Sequence, residues 1–397
     1  MTRRRLIASA MAAGGLALAA CSSDLPERGA GPAGHRSASA TPQSFDTAAY
    51  ERQLGYRDET PRGLDGRPGS GRPWEQTLAP ETVDTSRFAV PGGGHKVCFS
   101  NASVDNPWRQ VGWKTMREEV KLHPEIAEFA VLDAEAKDDK QISDIQSFTR
   151  QGCRALIVSP NTTATLTPAV EAACATGIPV IVFDRGVDTS CPVTFIHPIG
   201  GFAFGADGAE FLAENVESGG KVLALRILPG VDVLEQRWAA AEKILAGSRL
   251  DLVGVEFTDG DAARTKSVVN DYLQREGRID GVWMDAGATA VAAVEAFQDA
   301  GVEVPPFVGE DQQDFLRLWS EEKLTAVAPT YPTYQWRTAV IAAVRILKGE
   351  EVPKEWVLPQ PVITRETLRD VLTDEMPPLH YAMCGCQSMP GYPGPWK

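Results

Sequence analysis

The sequence predicts a doubly wound α/β protein with two parallel-sheet lobes. Three observations predict it. Short apolar runs lack the polar alternation of half-exposed strands, so they read as strands buried on both faces. Amphipathic stretches separate them, giving repeated strand–helix–strand units with right-handed crossovers. The runs fall into two series of five, and 397 residues, 43% of them hydrophobic, suffice to give each series its own core.

The first series is KVCFS (96–100), EFAVL (128–132), ALIVS (155–159), PVIVFD (179–184) and VTFI (193–196). Between these runs, Trp113, Met116 and Val120 stand at i, i+3, i+7, and TPAVEAACATG ends in a glycine suited to a helix stop. The second series is KVLALRIL (221–228), LVGVEF (252–257), GVWMD (281–285), PFVGED (306–311) and LTAVAP (324–329). Its helices are expected near 202–216, 234–246, 262–276, 287–300 and 311–320. YQWRTAVIAAVRILKGE (334–350) then forms a long amphipathic helix ending at Gly349.

Ahead of this body, MTRRRLIASAMAAGGLALAAC has a basic start, an apolar run and small residues before Cys21. That is the layout of a secretory signal over residues 1–20, too short to span a membrane. Leu18-Ala19-Ala20-Cys21 resembles the bacterial lipobox, whose cysteine is acylated and becomes the new N-terminus. Thr2-Arg3-Arg4-Arg5-Leu6-Ile7 reads equally as a twin-arginine export signal or a plain basic leader. The chain is therefore expected to be exported and anchored to the outer face of the cell membrane through Cys21, or periplasmic. Residues 21–94 are dense in Gly, Pro, Ser and charge with almost no apolar period, so a disordered tether is expected there, with one short helix in FDTAAYERQLGY. The net charge is −14, and no basic stripe would track phosphates, which argues against a nucleic-acid partner.

In open parallel sheets ligands sit beyond the carboxyl ends of the strands, where loops and helix N-termini converge. The residues there are 101–109, 159–161 and 184–185 in the first series, and 229–235, 258–261, 285–287 and 310–311 in the second. Asp184-Arg185, directly after a buried strand, is the most conspicuous pair among them.

Order, spacing and mouth residues together resemble the type I periplasmic sugar-binding proteins, the ribose- and galactose-binding group that serves ABC importers. The resemblance runs from about Lys96 to Ile363 and rests on SNASVDNPWRQVGWKTMREE, on residues 142–186, and on EQRWAAAEKIL, FVGEDQ and AVRILKGE. It implies two lobes joined by a three-strand hinge and closing on one small ligand. Mapped onto this chain, one lobe takes 95–198 plus 331–361 and the other 199–330 plus 362–383, with 384–397 as a tail. It implies that Asp184 and Arg185 grip sugar hydroxyls: a carboxylate accepts from two adjacent hydroxyls, and a guanidinium supplies a rigid donor fork. Asn106 and Trp108 match the family's asparagine and stacking aromatic, the alternative for Trp108 being an anchor of the following helix. Arg109 stands where many members carry a second aromatic, and this Trp-Arg pair is similar to the galactofuranose-binding branch. Arg237 and Asp311 match the family's second-lobe arginine and late aspartate. The chain departs from the pattern at Gly260-Asp261, at HPIG (197–200), and at Asp285-Ala286-Gly287, where Asp285 is the substitute candidate.

Seven cysteines are present, and setting Cys21 aside leaves an even number in an exported chain, which suggests disulfides. Cys153 and Cys174 both fall at the amino end of the first sheet and are expected to pair. Cys384-Gly385-Cys386 is expected not to close on itself, one of the two reaching Cys191 instead. Cys98, inside an apolar strand, reads as a small buried hydrophobe. The five histidines are scattered with no ligand spacing, so neither a metal nor a cofactor is expected. No G-x-S-x-G elbow or phosphate-cradling loop occurs, and an arginine beside Asp184 favours the ionised carboxylate over a general acid, so no enzyme is expected. The sequence thus points to a monomeric receptor that hands a monosaccharide or polyol to an ABC permease. A sensory partner of a transmembrane receptor would look the same; a DNA-bound regulator would not carry the export signal.

Overall fold

The computed structural model describes residues 45–397. The leader over 1–20 and the lipidation candidate Cys21 lie outside these residues. The chain forms α1 (Thr47–Tyr56), β1 (His95–Asn101), α2 (Pro107–Val120), β2 (Ile126–Asp133), α3 (Asp138–Phe148), β3 (Ala155–Ser159), α4 (Thr163–Ala175), β4 (Val180–Phe183) and β5 (Thr194–Pro198). It continues with α5 (Gly201–Asn215), β6 (Lys221–Arg226), α6 (Asp232–Gly247), β7 (Asp251–Phe257), α7 (Ala262–Glu276), β8 (Gly281–Met284) and α8 (Ala290–Asp299). The last major elements are β9 (Phe307–Val308), α9 (Gln313–Glu322), β10 (Ala326–Pro329), α10 (Gln335–Lys348), β11 (Glu355–Leu358) and β12 (Val362–Ile363).

Two six-stranded sheets result. The first runs β2-β1-β3-β4-β5-β11 with every neighbouring pair parallel. The second runs β7-β6-β8-β9-β10-β12, parallel except for its last pair. Each sheet is covered by helices on both faces, which is why its strands carry unbroken apolar runs. Alternate residues feed different cores: Val97 and Phe99 pack with Trp336 and Ile346 of α10, whereas Cys98 packs with Ile145 and Phe148 of α3 and Val170 of α4. In the second lobe Leu223 and Leu225 face Phe297 and Phe315, while Val222 and Ala224 face Leu212 and Trp238. The chain crosses between lobes after β5, after β10 and after β11. Two α/β parallel-sheet lobes with connecting strands are the type I periplasmic binding protein fold.

The disordered tether expected over 21–94 does not hold for 45–94. Helix α1 forms where FDTAAYERQLGY suggested it, capped by Asp46 through Ala49 N–H at 2.9 Å. Gln53 Oε1 accepts from Phe202 N at 2.9 Å and Ala203 N at 3.3 Å, and so caps α5, whose N-cap Gly200 has no side chain to do this. Arg57 reaches Asp207 and Glu210 of α5, both at 2.8 Å. Further on, Trp74 is buried against the first lobe, Leu78 N donates to Val357 O at 2.8 Å, and Thr82-Val83 pairs antiparallel with Val352-Pro353. The segment is held by isolated side chains, Gln53, Arg57 and Trp74, and by backbone bonds to the body, none of which leaves an apolar period in sequence.

The cysteine pairing also differs from expectation. Cys98 joins Cys153, Cys174 joins Cys191, and Cys384 joins Cys386. Cys98 projects to the α3–α4 face, where Cys153 enters β3; the last turn of α4 carries Cys174 to the loop before β5 instead. Gly385 lies at φ +63°, which only glycine adopts freely, and this turn lets its two neighbours meet.

Candidate functional site

In the first sheet the chain passes from β1 out to β2 and returns to β3 on the other side, so a crevice opens at the ends of β1 and β3. Arg109, in the first turn of α2, projects there. Asn106 caps that helix, its Oδ1 accepting from Arg109 N at 3.0 Å, which fixes where the arginine begins. The Arg109 guanidinium donates to Ser159 Oγ at 3.2 Å and to Asp184 Oδ2 at 2.8 Å. Both side chains of the ion pair are almost wholly buried, 3% and 5% exposed. Asp184 ends β4 in the left-handed region at φ +70°, a conformation aspartate tolerates better than most residues. The acid of the Asp184-Arg185 pair therefore salt-bridges Arg109, not its neighbour. Arg185 is half-buried and donates to the carbonyl of Asn161. Burial pulls the Arg109 guanidinium down and the Asp184 charge opposes this.

The second sheet has the same reversal between β7 and β8, around β6. Arg226, the last residue of β6, faces Glu235 at 2.8 Å and Asp285 at 3.6 Å, and lies over the Phe257 ring at 4.7 Å. Arg237, one turn into α6, donates to the Asp285 carbonyl and stands 3.6 Å from Glu310. Its guanidinium covers the Phe204 ring at 3.8 Å. Glu310 accepts from Gly287 N at 3.0 Å. A Cβ at residue 287 would meet Glu310 Cβ at 2.4 Å, so the glycine that breaks the family's pattern here is what admits this acid. Asp285 accepts from Ile227 N at 2.8 Å, and burial lifts its carboxyl to about 7. Burial raises Glu310 as well.

Asp311, expected to face a ligand, is fully buried under the C-terminal segment: its Oδ2 accepts from Met383 N at 2.7 Å and its carbonyl from Ala382 N at 2.9 Å. Burial, then the neighbouring Glu310 charge, lifts its carboxyl to about 7. The preceding residue, Glu310, is the acid that faces Arg237.

Tyr331, on the crossover after β10, joins the two halves. Its hydroxyl donates to the Asp184 carbonyl at 3.4 Å, and Arg237 lies over its ring at 5.0 Å. Trp108 donates from Nε1 to Tyr331 O at 2.7 Å and packs edge-on against Trp336, so it is half-buried and anchors α2 as well as bordering the cleft. At the rim Thr163 Oγ1 of the first lobe donates to Asp232 Oδ2 of the second at 2.7 Å. The structure thus gathers Trp108, Arg109 and Asp184 around Tyr331 and joins them through it to Arg237 and Glu310. Asp285 stands behind Arg237, Arg185 lies out at Asn161, Asn106 is an exposed cap, and Asp311 belongs to the tail. Sequence reasoning missed Tyr331, Arg226 and Tyr381, whose hydroxyl is 3.4 Å from Glu310. Buried polar atoms of these groups, among them Arg237 Nε, Arg226 Nε, Asp285 Oδ2 and Asp311 Oδ1, have no hydrogen-bond partner among the described residues, the kind of free capacity a polar ligand uses.

Residues 97–351 match the family described as periplasmic binding protein domain. The chain belongs to this family. Among the curated relatives of this periplasmic binding protein is the ribose import binding protein of Bacillus subtilis, 27% identical over 278 residues, covering 69% of this chain and 90% of that one. The xylitol-binding protein of Mycolicibacterium smegmatis is 24% identical over 240 residues, covering 57% and 66%. Among solved structures, an ABC transporter solute binding protein from Thermobispora bispora superposes with a TM-score of 0.64 at 24% identity, covering 72% and 90%. These likenesses carry the fold.

One further grouping was not legible as metal-ligand spacing. In the C-terminal tail His380, Cys384 and Cys386, all buried, bring one ligand atom each to within 4.8 Å of one another.

Proposed function

We propose that this periplasmic binding protein is the solute receptor of an ABC importer and closes its lobes on a neutral monosaccharide or polyol. The observation that carries the reading is a pair of buried charge pairs at the facing sheet ends, Arg109–Asp184 and Arg237–Glu310, with the Tyr331 ring between them. Each cation already has its anion, so the cleft offers strong directional donors and acceptors with little net charge. That favours hydroxyls over a carboxylate or phosphate. The curated relatives named for ribose and xylitol support the same class. Arg109, Asp184 and Arg237 supply polar contacts, and Trp108 with Tyr331 supplies the apolar border for the C–H face of a ring.

In this reading the leader over 1–20 is removed and Cys21 is acylated. The monomeric receptor is held at the outer face of the membrane, and a permease takes the ligand from the closed form. A thermal-shift panel of pentoses, hexoses, pentitols and inositols tests it, with uronates and sugar phosphates as charged controls. Because a closing ligand binds the folded state alone, at least one neutral member should raise the melting temperature by RT ln(1 + [L]/Kd). A panel in which only charged compounds stabilise the protein would overturn the reading.

A further inference from the structure

Residues 376–397 lie mostly beyond the part of the chain that builds the two sheets, yet they are held on both lobes. Ala382 and Met383 bond to Asp311 of the second lobe, while Tyr334 N donates to Met383 O at 3.1 Å and Trp396 Nε1 to Thr115 Oγ1 at 3.0 Å in the first. At the centre of this segment His380 Nε2 lies 3.6 Å from Cys384 Sγ and 3.8 Å from Cys386 Sγ. All three residues are buried, and nothing in the solute-binding reading uses them.

The two separations are close to those of metal ligands. With metal–sulfur bonds of about 2.3 Å and a metal–nitrogen bond of about 2.0 Å, tetrahedral or trigonal angles put N and S roughly 3.5–3.7 Å apart. Only the sulfurs must move, from a bonded pair to two separate ligands. One backbone donor suits a thiolate: Cys386 N–H points at Cys384 Sγ at 3.1 Å. Among the described residues His380 Nδ1 has no hydrogen-bond partner, so no described group fixes the tautomer against ligation through Nε2. Gln387 Oε1 lies 3.8 Å from Cys384 Sγ, next to the cluster.

We propose that His380, Cys384 and Cys386 form a redox-gated site for a thiophilic d10 cation, Cu+ or Zn2+, which is closed while the cysteines are joined and opens on their reduction. A dithiol reductant delivers two electrons and two protons to the disulfide and is itself oxidised to a disulfide. The cation then binds the two sulfurs and His380 Nε2, releasing both protons. Three donors with soft sulfur in the majority complete a trigonal Cu+ site, whereas Zn2+ needs Gln387 or water as a fourth ligand.

The test uses the full chain, reduced anaerobically with a dithiol, freed of reductant by gel filtration, and titrated with Cu+ and with Zn2+ against chromogenic competitors. Wild type is expected to bind one equivalent more than the Cys384→Ser/Cys386→Ser variant, which retains every other cysteine. Without reduction the two proteins should bind alike. His380→Gln is expected to weaken the extra equivalent at least tenfold, and this variant serves alone if the double variant does not fold. Absorption edges of the loaded protein separate trigonal Cu+ from tetrahedral Zn2+, either of which supports the site. Equal uptake by wild type and double variant after reduction overturns the proposal. So does thiol counting that finds residues 384 and 386 still joined after reduction of the folded protein.

Discussion

Replacing Asp184 by alanine tests the cleft at its most buried charge. The carboxylate sits 2.8 Å from the Arg109 guanidinium with both side chains at or below 5% exposure, so removing it leaves a cation in the interior whose other side-chain partner is the Ser159 hydroxyl. Breaking a pair of this kind by deleting one partner costs about 3–5 kcal/mol. Residue 184 also holds φ +70°, and an alanine in the left-handed region adds about 1 kcal/mol. The sum is a loss of roughly 4–6 kcal/mol in the ligand-free protein. Asp184→Asn keeps the tolerant backbone and one acceptor for Arg109, and should lose only about 1.5–3 kcal/mol, the scale of a charged hydrogen bond. Arg109→Met in the alanine background removes the orphaned cation and should recover a large part of the loss. Urea unfolding followed by tryptophan fluorescence reads all four proteins. If Asp184→Ala unfolds within 1 kcal/mol of wild type, or if the double variant is no more stable than the single, the ion pair does not hold the first-lobe rim and the reasoning fails.

The remaining predictions follow from particular contacts. Asp285 and Asp311 release their protons near 7 when folded and near 3.8 when unfolded, so the native state binds more protons between those values. Stability should therefore fall as pH rises from about 4 to about 7, by a few kcal/mol, and Asp285→Asn/Asp311→Asn should make that stretch of the melting profile shallower, the remaining slope coming from Asp207 and Asp314, which burial lifts to about 6. A Cβ on Gly205 would lie 1.9 Å from the Arg237 carbonyl, so Gly205→Ala should force α5 from α6, cost at least about 1–3 kcal/mol, and weaken solute binding in calorimetry by displacing Arg237. Trp74→Ala should cost about 3–5 kcal/mol in thermal or urea unfolding, whereas a free tether would lose nothing. Cys21→Ser should shift the mature protein from the detergent phase to the aqueous phase of a detergent partition, and unchanged partitioning would remove the lipid anchor from the proposed function.

The two sheets were readable because strands covered on both faces must be apolar throughout. Val180 to Phe183 and Val222 to Leu225 have no exposed position at which a polar residue could interrupt the run. Mouth positions follow from topology, and Arg109 and Asp184 are among them. The contact itself was not legible. Sequence adjacency suggested Asp184 with Arg185, but the backbone at φ +70° turns the two side chains apart and brings Arg109 of α2, 75 residues away, onto the carboxylate. Tyr331 was hidden for a related reason: it belongs to a crossover, where neither strand nor helix period singles out a residue. Glu310 stood in a mouth already flagged, but the family's late aspartate drew attention to Asp311. Only the tail that descends on Asp311 decides between them.

That tail and the 45–94 segment bear on how the cleft can open. Each touches both lobes, and several of its contacts lie beside the crossings. Gln53 binds at Phe202 and Ala203, beside the crossing after β5. Met383 accepts from Tyr334, and from Thr333 at 3.3 Å, on the crossing after β10. Trp356 and Val357, which hold Gln76 and Leu78, sit next to the crossing after β11. A rotation about an axis through those three crossings, the closing motion of the proposed function, would displace these attachments little, whereas Arg57 with Asp207 and Glu210, and Trp396 with Thr115, tie the straps further along α5 and α2.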